Sequence, residues 1–199
     1  MKKTFIIFVL TLAVFAYIFK AKAERLSAKN LICDLGERPQ IASTLKLKEG
    51  DKAPDFTLPS ISAEPVTLSQ YRGKKNVVIS FVPAAWTSVC SAQWPRYGGL
   101  QEALKTYDAV LLWISVDNKP ALSAWVQTIG NVWFIVLSDF WPHGAVADKY
   151  GVLRSDGIAE RAIFIIDKNG VIQYARVHKI TEMAEPSEIV SVLERISKK

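Results

Sequence analysis

Cysteine is nearly absent from this sequence, and so are the other residues that staple or metallate a fold. The 199 residues include two cysteines, Cys33 and Cys90, and two histidines, His143 and His178. Two cysteines do not make a disulfide framework. Without metal-ligand spacing, the two cysteines and two histidines offer no zinc or copper set, so no metal and no other cofactor is expected. Charge of one sign is also scarce once residues 1–23 are set aside. Removing their four lysines from the formal +6 leaves +2 from Glu24 onward, too little and too scattered to bind nucleic acid. Internal repeats and low-complexity tracts are missing as well. Half of the residues are hydrophobic, enough for a packed core.

One uncharged apolar run stands apart, Thr4 to Phe19, behind Lys2-Lys3. As a helix it would span about 24 Å, short of the roughly 30 Å of a bilayer core. Ala21-Lys22-Ala23 offers a small-x-small cleavage site. Against cleavage stand Lys20 and Lys22, the absence of a helix breaker, and a long apolar run for a signal peptide. Residues 1–23 therefore read as a signal peptide or as an N-terminal membrane anchor. Either reading puts Glu24 onward outside the cytoplasm, with membrane contact only through residues 4–19 if the segment is retained. Cys33 follows large Ile32, far beyond the apolar run, which argues against lipidation. Residues 24–47 are polar and aperiodic and read as a tether without packing. The folded domain is assigned to residues 48–199.

From Gly50 onward strands and helices alternate. Short extended pieces are expected at Phe56–Ile61 and Val66–Leu68, and a doubly buried strand at Asn76–Val82. A helix follows from Thr87 or Ser88 to about Lys105, kinked at Pro95. A strand at Ala109–Val116, a helix at Lys119–Ile129, a strand at Trp133–Leu137 and a short helix at His143–Tyr150 come next. Asn169-Gly170 marks a hairpin between Ala162–Asp167 and Ile172–Val177. An amphipathic helix, Ser187–Lys198, closes the chain. Mixed β-α-β units followed by a hairpin and a helix fit an α/β thioredoxin-like fold, a central mixed sheet flanked by helices.

Cys90 stands where the Asn76–Val82 run gives way to a helix, and a helix N-terminus favours a thiolate. Gln93 occupies the position where a C-x-x-C disulfide exchanger would carry its second thiol. The pattern P-x-x-x-T-x-x-C at Pro83, Thr87 and Cys90 resembles the peroxiredoxin signature. Gly50–Phe56 and Leu68–Lys74 look like two further landmarks of that family. Arg161, just before Ala162–Asp167, matches an arginine that in the family reaches the reactive thiol. Ser138–Gly144 is most similar to the alkyl hydroperoxide reductase E branch, whose members commonly use a single cysteine.

The resemblance implies a thiol-dependent peroxidase in which Cys90 attacks hydrogen peroxide or an organic hydroperoxide and becomes a sulfenic acid. Thr87, Arg161 and the Cys90 N–H would stabilise the charge moving onto the leaving oxygen, and Pro83 would shield the thiol. Trp86, standing where the family usually has phenylalanine, and Gln93, one turn beyond Cys90, are expected at the substrate pocket. Gln93 would orient Arg161. Without a cysteine after Cys90, the expected reductant is an external thiol, either a thioredoxin-like protein or a small thiol. Cys33 is read as redox-passive. His143 is placed at a helix start or pocket edge, and His178 on the surface. The sequence leaves a homodimer open. The rival readings are an extracytoplasmic thioredoxin-like thiol-disulfide oxidoreductase and a thioredoxin-fold binding module, such as a copper-delivery protein, which would want a second nearby cysteine.

Overall fold

Two runs, Asn76–Phe81 and Arg161–Ile166, are buried at every residue, and they are the middle of the molecule. The computed structural model describes residues 31–36, 38, 45–62, 64–130 and 132–198. The apolar run Thr4–Phe19 and most of the segment read as a tether lie outside the described residues. The two buried runs are strands β3 and β6 of a five-stranded sheet. Its other strands are β4 (Ala109–Ser115), β5 (Ile135–Ser138) and β7 (Ile172–His178), in the order β5-β4-β3-β6-β7. Strands β3, β4 and β5 run parallel, while β6 is antiparallel to β3 and β7 to β6. A small ribbon, β1 (Thr57–Leu58) and β2 (Val66–Thr67), packs beside the sheet.

Side chains alternate across a strand, and the two faces hold different cores. Val77, Ile79, Phe81, Leu112, Ile114, Phe164 and Ile166 face Phe56, Leu58 and Tyr150. Val78, Leu111, Trp113, Ile163 and Ile165 face the helical layer. That layer contains α1 (Ser88–Tyr97), α2 (Leu100–Thr106), α3 (Lys119–Ile129) and α5 (Pro186–Ser197). A short α4 (Ala145–Lys149) belongs to the opposite face. The mixed sheet flanked by helices is the thioredoxin-like architecture.

Several boundaries differ from the sequence reading. The single helix expected to run to about Lys105, kinked at Pro95, is two helices. Pro95 lies inside α1, and Gly98-Gly99 follow it, with the Gly98 N–H turned back to the Pro95 carbonyl. Two consecutive glycines are costly in a helix interior. The strand expected from Trp133 starts only at Ile135, because Trp133 and Phe134 pack edge-on as a cluster with Trp94. The helix expected from His143 starts at Ala145. Gly144 before it is left-handed, and a Cβ there would come within 2.5 Å of Leu153. Asp139 accepts hydrogen bonds from the Val146 and Ala147 N–H groups at that helix start.

Two further expectations are corrected. His178 is only partly on the surface. Its side chain is 8% exposed, 3.5 Å from Glu188 on α5. Burial, with the positive charges of Arg176 and Arg161, pushes its pKa down. Nor does the described part of the 24–47 segment lack packing. Leu45 and Leu47 rest on the core, and Arg38 pairs with Asp156 at 3.0 Å. Among the described residues no helix is long and apolar enough to cross a membrane.

Candidate active site

Strand register brings together residues far apart in sequence. In the antiparallel β3–β6 pair, Phe81 faces Ala162, so the start of β6 lies beside the end of β3. The chain leaves β3 there, turns through Pro83–Trp86 and enters α1. Arg161 has the same parity as Ile163 and Ile165, the residues of β6 that face the helices. Its guanidinium therefore lies under the first turns of α1. Arg161 Nη2 is 3.4 Å from Cys90 Sγ. Both residues are buried, Cys90 at 0% exposure and Arg161 at 1%.

Two neutral acceptors hold the guanidinium through three hydrogen bonds. Nε and Nη2 donate to the Ile180 carbonyl at 3.2 and 3.0 Å, and Nη1 donates to Gln93 Oε1. The Gln93 amide nitrogen donates to Tyr97 Oη, which lies 3.2 Å from Ser80 Oγ. Arginine has no acceptor, so the amide oxygen must face it, and the amide nitrogen must face the tyrosine. Burial pushes the Tyr97 pKa up, keeping the phenol neutral and able to share its proton within this chain. Among the described residues no carboxylate hydrogen-bonds to Arg161. Its charge is spent on the sulfur and on whatever binds beside it.

The α1 N-terminus faces the same place. Thr87 is the N-cap residue, yet its side chain does not cap the helix. Its hydroxyl donates to the Ala84 carbonyl at 2.9 Å, which leaves its oxygen lone pairs and the first-turn N–H groups open. The preceding turn is held tightly. Ala85 N–H donates to Asp117 Oδ2 at 2.7 Å, and the Trp86 indole donates to the Ala121 carbonyl at 3.3 Å. Trp86 has φ +62°, a conformation that costs a bulky residue about 1–3 kcal/mol and concentrates at functional sites. Pro83 is buried at the exit from β3.

A narrow cleft lies over this arrangement, bordered by Thr87, Ser88, Val89, Arg161, Ile180 and Thr181. Two expected pocket residues do not line it. Gln93 is wholly buried behind Arg161, where it supports the guanidinium and meets no solvent. Trp86 is turned by its positive φ toward α3, to which its indole is bonded. His143 is bonded to the Gly157 carbonyl at 2.6 Å and is not a partner of Cys90. Cys33 and Cys90 are both free thiols, the first exposed and the second buried. Among the described residues no group of three or more His, Cys, Asp or Glu is gathered for a metal.

The sequence reading missed Tyr97, Ser80, Asp117 and the Ile180 carbonyl. Two left a trace. Tyr97 is one helical turn from Gln93 and shares its face, and Ser80 is a hydroxyl inside an apolar strand. Asp117 and Ile180 have no signal without the fold, because the one accepts from a backbone N–H and the other offers only its backbone carbonyl, each to a partner distant in sequence.

The AhpC/TSA family model matches residues 49–175, which include Pro83, Thr87, Cys90, Gln93 and Arg161. The chain belongs to this family, the peroxiredoxins. It is 40% identical over 144 residues to alkyl hydroperoxide reductase E of Mycobacterium tuberculosis, covering 72% of this chain and 90% of the relative. It is 30% identical over 161 residues to a chloroplastic 2-cysteine peroxiredoxin of Chattonella marina var. antiqua, covering 76% and 82%. Among solved structures, it is similar to the reduced 2-Cys peroxiredoxin of Plasmodium vivax. The TM-score is 0.73 at 30% identity, over 76% of this chain and 83% of that one. This peroxiredoxin is accordingly a thiol-dependent peroxidase. The disulfide-exchanger and binding-module readings gain nothing, and the position a second thiol would need holds Gln93, bonded to Arg161.

Proposed function

We propose that Cys90 is the peroxidatic thiol of this enzyme, acting with Arg161, Thr87 and the open N–H groups of α1. The carrying observation is the uncompensated guanidinium 3.4 Å from the Cys90 sulfur. A guanidinium there favours the thiolate, since an opposite charge a few ångströms away stabilises the ionised form. The thiolate attacks the terminal oxygen of a hydroperoxide and the O–O bond breaks. Cys90 becomes a sulfenic acid, and the other oxygen leaves as alkoxide or hydroxide and takes up a proton to become alcohol or water. Charge develops on the leaving oxygen, toward which Arg161 and the Cys90 N–H can direct preorganised donors, while the Thr87 hydroxyl, its proton given to the Ala84 carbonyl, can accept from the peroxide O–H. Pro83 shields the thiol, and Gln93 holds Arg161 in place.

The sulfenic acid is returned to thiol from outside the chain. A first external thiol condenses with it, releasing water and leaving a mixed disulfide. A second external thiol attacks that disulfide, frees Cys90 and leaves as an oxidised pair. Supporting this, no cysteine follows Cys90. Cys90→Ser should abolish peroxide consumption, whereas Cys33→Ser should keep the first oxidation intact. Turnover by Cys90→Ser with a thiol present would refute the assignment of the nucleophile. Quantitative Cys33–Cys90 disulfide after one equivalent of peroxide would refute external recycling.

The run Thr4–Phe19 and its basic start support an extracytoplasmic location, through cleavage or through a single retained anchor. Exposed Phe140 and Trp141, at 46% and 83%, support a homodimer. Fractionation of the native protein, followed by mass and sedimentation analysis, reads all of this. A cytoplasmic, full-length monomer would refute both the location and the dimer.

A further inference from the structure

The Cys90 sulfur is fully buried, so a peroxide needs a passage to it. The cleft over Thr87 and Arg161 is narrow, about 20 Å³, and its remaining side is bordered by Asp34, Leu35 and Gly36. These three residues belong to the segment read from sequence as an unpacked tether. We propose that Asp34–Gly36 is the outer wall of the peroxide passage, and that Leu35 sets the size of hydroperoxide admitted. The inference rests on Cys90 being the peroxidatic thiol.

Three observations carry it. Leu35 is the least exposed of the three, flanked by exposed Asp34 and Gly36. Across the cleft stand Val89 and Ile180, so a leucine there narrows an apolar channel. The wall also has a fixed shape. Gly36 is left-handed at φ +63°, and its N–H donates to Asp34 Oδ1 at 3.0 Å. Finally, the wall is pinned just beyond its end. Arg38 Nη1 meets Asp156 Oδ2 at 3.0 Å, and Asp156 is gripped by Arg154 at 3.1 and 3.2 Å. The Arg154–Glu160 stretch leads directly into Arg161, so the pin holds the wall to the same loop that sets the guanidinium.

A narrow apolar passage with a fixed outer wall favours small peroxides over bulky ones. The test uses the full chain in a Cys33→Ser background. Rate constants are measured with hydrogen peroxide and with cumene hydroperoxide, a bulky aromatic substrate. Leu35→Ala opens the wall and Arg38→Ala unpins it. Both should raise the cumene-to-hydrogen-peroxide ratio by roughly tenfold, the discrimination that a methylene or two confers in an apolar pocket. Arg38→Lys, which keeps a cation for Asp156, should retain the wild-type ratio. A parallel measurement does not need peroxidase activity: Cys90 alkylation by a bulky maleimide relative to iodoacetamide should rise in the same two variants. Unchanged or lowered ratios in both assays would overturn the proposal. If no variant consumed either peroxide while the alkylation ratio rose, the wall would stand and the role of Cys90 would fall.

Discussion

Arg154 and Arg161 lie on one short stretch of chain and are both buried, at 4% and 1% exposure. Their surroundings are opposite. Arg154 is ringed by carboxylates, with Asp156 at 3.1 and 3.2 Å and Glu160 at 3.3 Å. Burial works against its charge, but Asp156 and Glu160 outweigh burial and push its pKa up. Arg161 is ringed by an amide oxygen, a backbone carbonyl and a thiol. One cation is cancelled where it stands. The other is oriented by neutral groups and keeps its charge for the sulfur. A buried arginine is therefore a poor marker of function by itself. What distinguishes the two is whether a carboxylate answers the charge.

Replacing each arginine by methionine separates the two roles. Arg161→Met should lower the peroxide rate constant by about 10²–10³-fold, the range for losing one preorganised donor at a developing charge. Arg154→Met should cost stability, about 3–5 kcal/mol, because it removes the Arg154 guanidinium from the buried Glu160 carboxylate. The folded fraction of Arg154→Met should still consume peroxide at close to the normal rate. Stopped-flow kinetics and urea unfolding on both variants read the contrast. It collapses if Arg154→Met is catalytically dead while well folded, or if Arg161→Met turns over peroxide normally.

Much of this contrast was legible from residue order, though unevenly. Strands and helices announced themselves because burial on both faces leaves long apolar runs such as Asn76–Phe81, and because Asn169-Gly170 marks its turn. The proposed nucleophile and the arginine that meets it were legible through Pro83, Thr87, Cys90 and Arg161, a pattern tied to a family. Boundaries were less readable where packing overrode propensity, as when Trp133 and Phe134 left the strand to join Trp94. The roles of Gln93 and Trp86 were half legible. Both types were expected near the thiol, but which way they turned depends on Arg161 below one and the positive φ of the other. The wall at Asp34–Gly36 had no signal at all, because a polar aperiodic segment looks the same whether it packs or drifts.

The middle of the neutral ring offers a smaller perturbation. Gln93→Met removes the acceptor for Arg161 and the donor for Tyr97 while keeping the side chain's length. Leaving those buried partners unmet costs about 1–3 kcal/mol of stability. A guanidinium no longer held in place should slow the oxidation step about tenfold, since small misplacements of a positioned group are expensive. Gln93→Glu restores an acceptor but answers the Arg161 charge with a carboxylate, so it should hold the guanidinium in place without recovering the rate. If Gln93→Met lost stability but no rate, Gln93 would support only the fold, and the Ile180 carbonyl would suffice to aim Arg161.

The smallest effect lies on the carboxylate side, where acid should dissolve what is absent around Arg161. Burial pushes the Asp156 carboxyl up, but hydrogen bonds from Arg154 and Arg38 outweigh it and hold the pKa below the ordinary 3.8. A group whose folded pKa is depressed contributes stability above its unfolded pKa. It loses that contribution as pH falls through the folded value. The Arg38–Asp156 pair is partly exposed, so at neutral pH it is worth about 1 kcal/mol or less. Wild type and Arg38→Ala should therefore differ slightly in urea midpoint at pH 7, and less in molar salt. The difference should persist to pH 4 and close only below 3.8, as Asp156 takes up its proton. A difference that survives at pH 2.5 would mean that Arg38 holds the wall through its aliphatic stem and not through its charge. The distinction between an answered and an unanswered arginine would then not extend to this end of the network.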